Sequence, residues 1–265
     1  LNGDASQVNH HAVRHILLVE DQAIIALSEK DTLETNGFVV TIASSGEAAL
    51  EKLAREPEIR LVLMDIDLGR GMDGTQTASR ILEERSVPIV FLTNHTERDY
   101  VERVREITNY GYIVKNSGEF VLIESIEMAF RLFEANQRIE SERSLLRTLM
   151  ESLPDYLFVK DRESRFITTN TAHLRAVGVH RHEDVVGMTD FDLFPRELAQ
   201  RYYHDEQRVM ETGTALINRI ETVVTHDGES RRFLTTKVPW FDDNRVIRGV
   251  IGISRDVTDR EPDRR

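Results

Sequence analysis

Apolar runs of four residues recur through the first half of the chain without alternating with polar ones. Ile16-Leu17-Leu18-Val19, Leu61-Val62-Leu63-Met64 and Ile89-Val90-Phe91-Leu92 are continuous and rich in branched side chains. That is the pattern of strands buried on both faces, as in a parallel sheet. The spacing predicts strands at 16–20, 38–43, 60–65, 88–92 and 110–114. Helices are predicted near 22–36, 46–55, 74–85, 97–107 and 118–135. Five strand–helix units make a doubly wound α/β domain. Gly37 reads as the stop of the first helix, and Ser44-Ser45-Gly46-Glu47 opens the second.

The pattern changes near residue 136. Beyond about 154 the strand-like runs are separated by turn signals. Tyr156–Val159 and Arg165–Thr169 bracket a turn at Asp161–Ser164. A helix is predicted over about 196–211, ending near Gly213. Three longer strands follow at about 216–225, 231–241 and 246–256, with hairpin-turn chemistry at Asp227-Gly228 and Asp242-Asp243-Asn244. This predicts an antiparallel α+β domain.

Between the two domains, Met128, Leu132, Ala135, Ile139, Glu142, Leu146, Leu149 and Leu153 are spaced 4, 3, 4, 3, 4, 3, 4. That is a heptad seam, weakened by a carboxylate at Glu142. The alternative is an amphipathic helix lying on its own domains. The organisation expected is a tail at 1–13, an α/β domain at 14–135, and a helical connector and coiled-coil candidate at 136–153. An α+β domain at 154–260 and a tail at 261–265 complete it.

Composition narrows the function. Across 265 residues the net charge is -12, with 30% charged and 40% hydrophobic residues. That balance argues against a nucleic-acid surface. The absence of cysteine excludes disulfides, Cys-based zinc sites, Cys nucleophiles and cysteinyl–flavin adducts. No stretch approaches the roughly 20 apolar residues of a membrane span, and no signal peptide opens the sequence. The expectation is a cytoplasmic protein. It begins at Leu1 rather than Met, as a chain lacking its true start would.

The chemistry lies at the strand ends. Glu20, Asp21 and Asp65 follow or end the first and third strands, where an open parallel sheet binds its ligands. Three carboxylates so close repel unless a cation sits among them. Mg2+, a hard ion bound by oxygen, is the simplest remedy. A carboxylate can also accept a phosphoryl group, and Asp65 is the candidate nucleophile. Thr93 ends the fourth strand and can give a hydroxyl to a phosphate oxygen. Lys115 ends the fifth and can give a point positive charge. The competing reading of Asp21, Asp65 and Lys115 is a buried ion-pair network in an ordinary α/β domain.

Residues 14–135 resemble the receiver domain of two-component response regulators, a flavodoxin-like fold. The motifs are Leu18-Val19-Glu20-Asp21, Leu63-Met64-Asp65-Ile66-Asp67-Leu68, Met72-Asp73-Gly74, Phe91-Leu92-Thr93 and Gly111-Tyr112-Ile113-Val114-Lys115. The resemblance implies that Asp65 takes phosphate from a histidine kinase or a phosphotransfer protein. It implies Mg2+ held by Asp21, Asp65 and the backbone carbonyl of Asp67, with Glu20 helping through water. Thr93 and Lys115 would contact the phosphoryl oxygens, and Tyr112 would be an aromatic switch, unless it only packs. Two departures concern the site. Asn94 is larger than the small residue usual there, and Asn116 stands where proline is common.

The second domain resembles a PAS sensor. Its motifs are Leu153–Asp161, Gly187–Pro195, Glu211-Thr212-Gly213 and Gly252–Arg260. A PAS pocket would be lined from among Phe158, Phe166, Leu174, Phe191, Phe194, Phe233 and Ile251, most of which would otherwise be plain core. Its ligand is unknown and there could be none. His204, His180, His182 and Glu183 are read as solvated rather than as ligands, and His10 and His11 as tail residues. The function expected is phosphorelay signalling by a response regulator that dimerises through the connector. The rivals are the N-terminal regulatory part of a larger sensor histidine kinase, and a haem or small-molecule sensor. No histidine here starts a kinase phosphoacceptor helix and no ATP lid follows, so only receiver phosphorylation and dephosphorylation are expected as chemistry.

Overall fold

The computed structural model describes residues 14–69, 71–93, 107, 110–224 and 230–258. The predicted helix at 97–107 (Ile107 apart), Asn94, the Asp227-Gly228 turn, and the tails with His10 and His11 lie outside the described residues. The chain forms two compact units, residues 1–140 and 141–265.

The first unit runs β1 (His15–Val19), α1 (Ala23–Thr35), β2 (Val39–Ala43), α2 (Gly46–Arg55), β3 (Ile59–Asp65), α3 (Gly74–Glu84), β4 (Ile89–Thr93), β5 (Tyr112–Val114) and α4 (Glu119–Ser152). The sheet order is β2-β1-β3-β4-β5, and every pairing is parallel. Side chains alternate across the strands, and both faces are buried. Leu17, Val19, Val62, Met64 and Phe91 feed one core, with Ala49, Ala78 and Ile81 from α2 and α3. Ile16, Leu18, Leu61, Leu63, Val90 and Leu92 feed the other, with Ala26 and Leu33 of α1 and Ile126, Ala129 and Phe130 of α4. Two buried faces explain why the runs lack polar alternation.

The helix ends are specified locally. The Ser45 side chain accepts from the Ala48 N–H at the start of α2. Asp73 forms a capping box with Gln76 at the start of α3. Gly37 takes φ +86 just beyond α1, the left-handed stop that its position predicts. Gly74 is needed for closeness. A Cβ there would lie 2.0 Å from the Asp65 carbonyl oxygen, so only glycine lets α3 begin against the end of β3.

The predicted fifth helix and connector are one unbroken helix of 34 residues, α4. All eight seam residues from Met128 to Leu153 are exposed. Residues 135–149 are helical and exposed throughout, while Met150 and Glu151 bond Asn170 and Thr171 of the second unit.

The second unit runs β6 (Tyr156–Asp161), β7 (Phe166–Thr169), α5 (Thr171–Ala176), α6 (His182–Val185), α7 (Asp190–Leu193), α8 (Arg196–Thr212), β8 (Leu216–Val224), β9 (Ser230–Phe241) and β10 (Ile247–Asp256). Its sheet order is β7-β6-β10-β9-β8, all antiparallel. The four helices fall between β7 and β8 in sequence and pack on one face. Gly213 ends α8 with φ +66. Asp242 caps the β9–β10 turn through the Asn244 and Val246 N–H groups.

Candidate functional site

The parallel order puts the carboxyl ends of β1, β3, β4 and β5 along one edge. Asp65 and Thr93 are the last residues of β3 and β4, while Glu20 and Lys115 lie just past β1 and β5. The ladder continues between them, since the Lys115 N–H donates to the Thr93 carbonyl at 2.8 Å. Glu20, Asp65 and Thr93 are 1%, 3% and 2% exposed.

Lys115 ties the acids together. Its Nζ lies 2.6 Å from Glu20 Oε2 and 2.7 Å from Asp65 Oδ2. Asp65 Oδ1 accepts from the Asp67 N–H at 3.3 Å. Asp21 is exposed at the rim, and oxygens of Glu20, Asp21 and Asp65 lie within 4.8 Å of one another. Burial pushes the Asp65 carboxyl up to about 6, with Glu20 adding to this and Lys115 opposing it. Burial works against the Lys115 ammonium, yet its bonds to Asp65 and Glu20 raise its pKa. Three clustered acids, two of them sharing one ammonium, form a site short of positive charge, which suits a hard divalent cation.

Tyr112 is 38% exposed, on the strand that leads to Lys115. Asn116 takes φ +66, a left-handed conformation that asparagine tolerates better than most residues. The described residues hold no cis peptide bond. Ser117 N–H bonds the Val114 carbonyl at 3.1 Å and closes a turn without proline.

One carboxylate near this site escaped the sequence reading. Glu29 lies on α1 between the core residues Ala26 and Leu33, and its Oε2 is buried with no hydrogen-bond partner. Burial pushes its pKa up to about 7, with Lys115 opposing and Glu20 and Asp65 adding. The folded state therefore holds a proton there that the unfolded chain releases above about pH 4.5. Stability should fall as pH rises from 4.5 to 7 and level off beyond. Glu29→Leu should stabilise the first unit by about 1–3 kcal/mol at neutral pH. In EDTA, its advantage over wild type in urea melts should shrink as pH drops through that window. An advantage that does not change with pH would refute the assignment.

The second unit holds a larger surprise, four charged side chains at its centre. Lys160 Nζ lies 2.5 Å from Asp190 Oδ2 and 2.7 Å from Glu206 Oε1, and Lys237 Nζ lies 3.2 Å from Glu206 Oε1. All are 4% exposed or less. Burial pushes Asp190 up to about 6, partly countered by Lys160. Burial also opposes the charge on Glu206, but the two ammonium groups hold its pKa below the usual range. The sequence motifs contain Lys160 and Asp190 without revealing the cluster.

Of the seven candidates, Phe158, Phe166, Phe194 and Phe233 line the adjoining cavity, although plain core was the favoured reading for most of them. Leu174 is core beside it, and Phe191 is 43% exposed and packs on Tyr203. His204 and His180 are exposed. His182 pairs with Glu151 at 3.3 Å. No helix among the described residues is long and apolar enough to cross a membrane.

The family model of the response regulator receiver domain matches residues 16–127, and that of the PAS fold matches 150–262. The chain is 33% identical over 153 residues to the transcriptional regulatory protein PdtaR of Mycobacterium tuberculosis, spanning 57% of this chain and 74% of that protein. It is 31% identical over 139 residues to the methanogenesis regulatory histidine kinase FilI of Methanothrix harundinacea, spanning 52% of this chain and 15% of that protein. A solved N-terminal domain of a response regulator/sensory box/GGDEF protein from Carboxydothermus hydrogenoformans is 49% identical, with a TM-score of 0.44. It covers 46% of this chain and 98% of that one.

Proposed function

We propose, from the premise that this chain belongs to the response regulator receiver family and carries a PAS fold after its receiver, that Asp65 accepts a phosphoryl group and α4 conveys the event. The observation that supports this most is the Lys115 ammonium bridging Glu20 and Asp65 at the strand ends, with Asp21 within reach. The chain takes part in phosphorelay signalling, and its receiver calls for a phosphodonor such as a histidine kinase. In the transfer, an Asp65 carboxylate oxygen forms the new O–P bond. The P–N bond to the donor imidazole breaks, and its electron pair stays with that nitrogen.

Glu20, Asp21 and Asp65, with the Asp67 carbonyl, would hold Mg2+, which neutralises charge on the transferring group. Lys115 and Thr93 would receive the remaining phosphoryl oxygens. Lys115 must then give up part of its hold on Asp65, and Tyr112 on the same strand would turn inward. The reading puts the protein in the cytoplasm, where ATP-dependent phosphodonors work. A second reading, a receiver–PAS module ahead of a kinase core, is favoured by the similarity to FilI. Reading the gene beyond Arg265 decides between them.

Two copies pairing along the Met128–Leu153 seam would bury apolar residues that are exposed in one chain. Beryllofluoride with Mg2+ mimics the phosphorylated acid. It should tighten the dimer at least tenfold by analytical ultracentrifugation, and Leu146→Lys should abolish the gain. A dimer constant indifferent to beryllofluoride would reject the coupling. Phosphoryl incorporation from acetyl phosphate tests the acceptor itself.

A further inference from the structure

The amino ends of the receiver strands, at the far edge of the sheet from Asp65, carry a second group of side chains able to bind metal. His15 opens β1, Thr41 lies on β2, and Glu56 and Glu58 stand in the turn from α2 to β3. β3 is seven residues long, which at about 3.3 Å each puts roughly 20 Å between the two edges. Ligand atoms of His15, Glu56 and Glu58 all lie within 4.8 Å of one another.

The three differ in setting. His15 is 8% exposed and is held between β2 and β3, opposite Val39 and Ile59. Its Nε2 meets Thr41 Oγ1 at 2.9 Å, and that hydroxyl donates to Glu56 Oε2 at 2.8 Å. Nε2 itself is 3.9 Å from Glu56 Oε2. Glu58 is exposed at the rim. The turn that carries both acids is pinned by Arg85, whose guanidinium donates to the carbonyls of Leu53, Glu56, Pro57 and Ile59. Those donors are spent on backbone. Among the described residues, neither carboxylate forms an ion pair with a lysine or arginine.

A cation would complete this group, and the imidazole selects its kind. Mg2+ prefers oxygen alone, whereas Zn2+ takes imidazole and carboxylate together. Two ligands on one zinc ion, each about 2.1 Å from it, stand at most about 4.2 Å apart. His15 and Glu56 already meet that limit, and a turn of the exposed Glu58 side chain brings in the third. Three protein ligands with water at the fourth position make an open zinc site. The Thr41 hydroxyl orients Glu56 from behind. Zinc takes the lone pair of Nε2, so the ring proton sits on Nδ1 in the bound form.

We propose that His15, Glu56 and Glu58 bind a divalent transition metal ion of the zinc class, which ties the end of α2 to the amino edge of the receiver sheet. Calorimetric titration of the full chain with Zn2+, in excess Mg2+ to occupy the acids around Asp65, should show this ion binding. Glu58→Gln alters only an exposed side chain and should weaken binding at least tenfold. His15→Gln should abolish it, with circular dichroism confirming the fold. Zn2+ should also raise the thermal midpoint of wild type and leave that of His15→Gln unmoved. Asp65→Asn should bind zinc as wild type does, and so should a chain with His10 and His11 replaced by alanine. A zinc affinity unchanged in Glu58→Gln or in His15→Gln would overturn the proposal. So would binding lost with His10 and His11, or no heat from Zn2+ at micromolar concentration.

Discussion

Asp65→Asn should take up no phosphoryl group from acetyl phosphate and Mg2+, where wild type gains one by intact mass. The amide has nearly the shape of the acid, and its oxygen can still accept from Lys115. The fold should therefore survive while the nucleophile is lost. The rate should fall at least about 10³-fold, equivalent to about 4 kcal/mol of barrier. Burial is part of why this side chain serves. Its carboxyl is 3% exposed, so water competes weakly for it, and Lys115 keeps one oxygen oriented. Asp21→Asn should instead slow uptake and raise the Mg2+ requirement, because it weakens cation binding and leaves the acceptor intact. EDTA should stop uptake in wild type. A phosphoryl adduct retained in Asp65→Asn would move the acceptor to another residue and reject the assignment.

The other large effect is expected in the second unit. Lys160→Met should destabilise it by about 3–5 kcal/mol, the usual cost of stripping a buried charge of its partner. Asp190 loses the ammonium that its side chain bonds, and Glu206 keeps the longer contact to Lys237. Methionine replaces the aliphatic stem but not the charge. The position above Phe166, where the ammonium lies 4.4 Å from the ring centre, would also lose its cation–π contact. Lys160→Met combined with Asp190→Leu should recover part of the loss, since an apolar pair is often as stable as a buried ionic one. Urea unfolding followed at near-UV wavelengths reads both. A loss under about 1 kcal/mol in the single variant would mean that the cluster is held differently from what the geometry indicates.

Much of this was legible in the sequence because two physical periods are hard to mistake. Strands buried on both faces must be apolar throughout, which exposed β1, β3 and β4 and so located Asp65 and Thr93 at their ends. Lys115 followed from its place just after the short run Tyr112-Ile113-Val114. The boundary of the connector did not show, because a helix can pass from a core-facing stripe to an exposed seam without a break in spacing. Residues 118–135 and 136–153 therefore read as two pieces although α4 is one.

Charged residues placed where apolar ones are expected were missed. Tyr156, Phe158 and Lys160 share one face of β6 by simple alternation, as do Phe233, Thr235 and Lys237 of β9. That register could have marked both lysines as inward. Glu29 sits on the Ala26–Leu33 stripe at helical spacing in the same way. In each case the polarity of the side chain concealed its direction.

The seam has a geometric consequence. An α-helix of about 3.6 residues per turn cannot keep a seven-residue stripe on one side, and the stripe drifts by about 20° per heptad. From Met128 to Leu153 it spans 26 residues. Two copies that bury it against each other must wrap left-handed around a common axis. The handedness of any twist passed along them is then fixed by that phase mismatch, whichever end of the pair is turned.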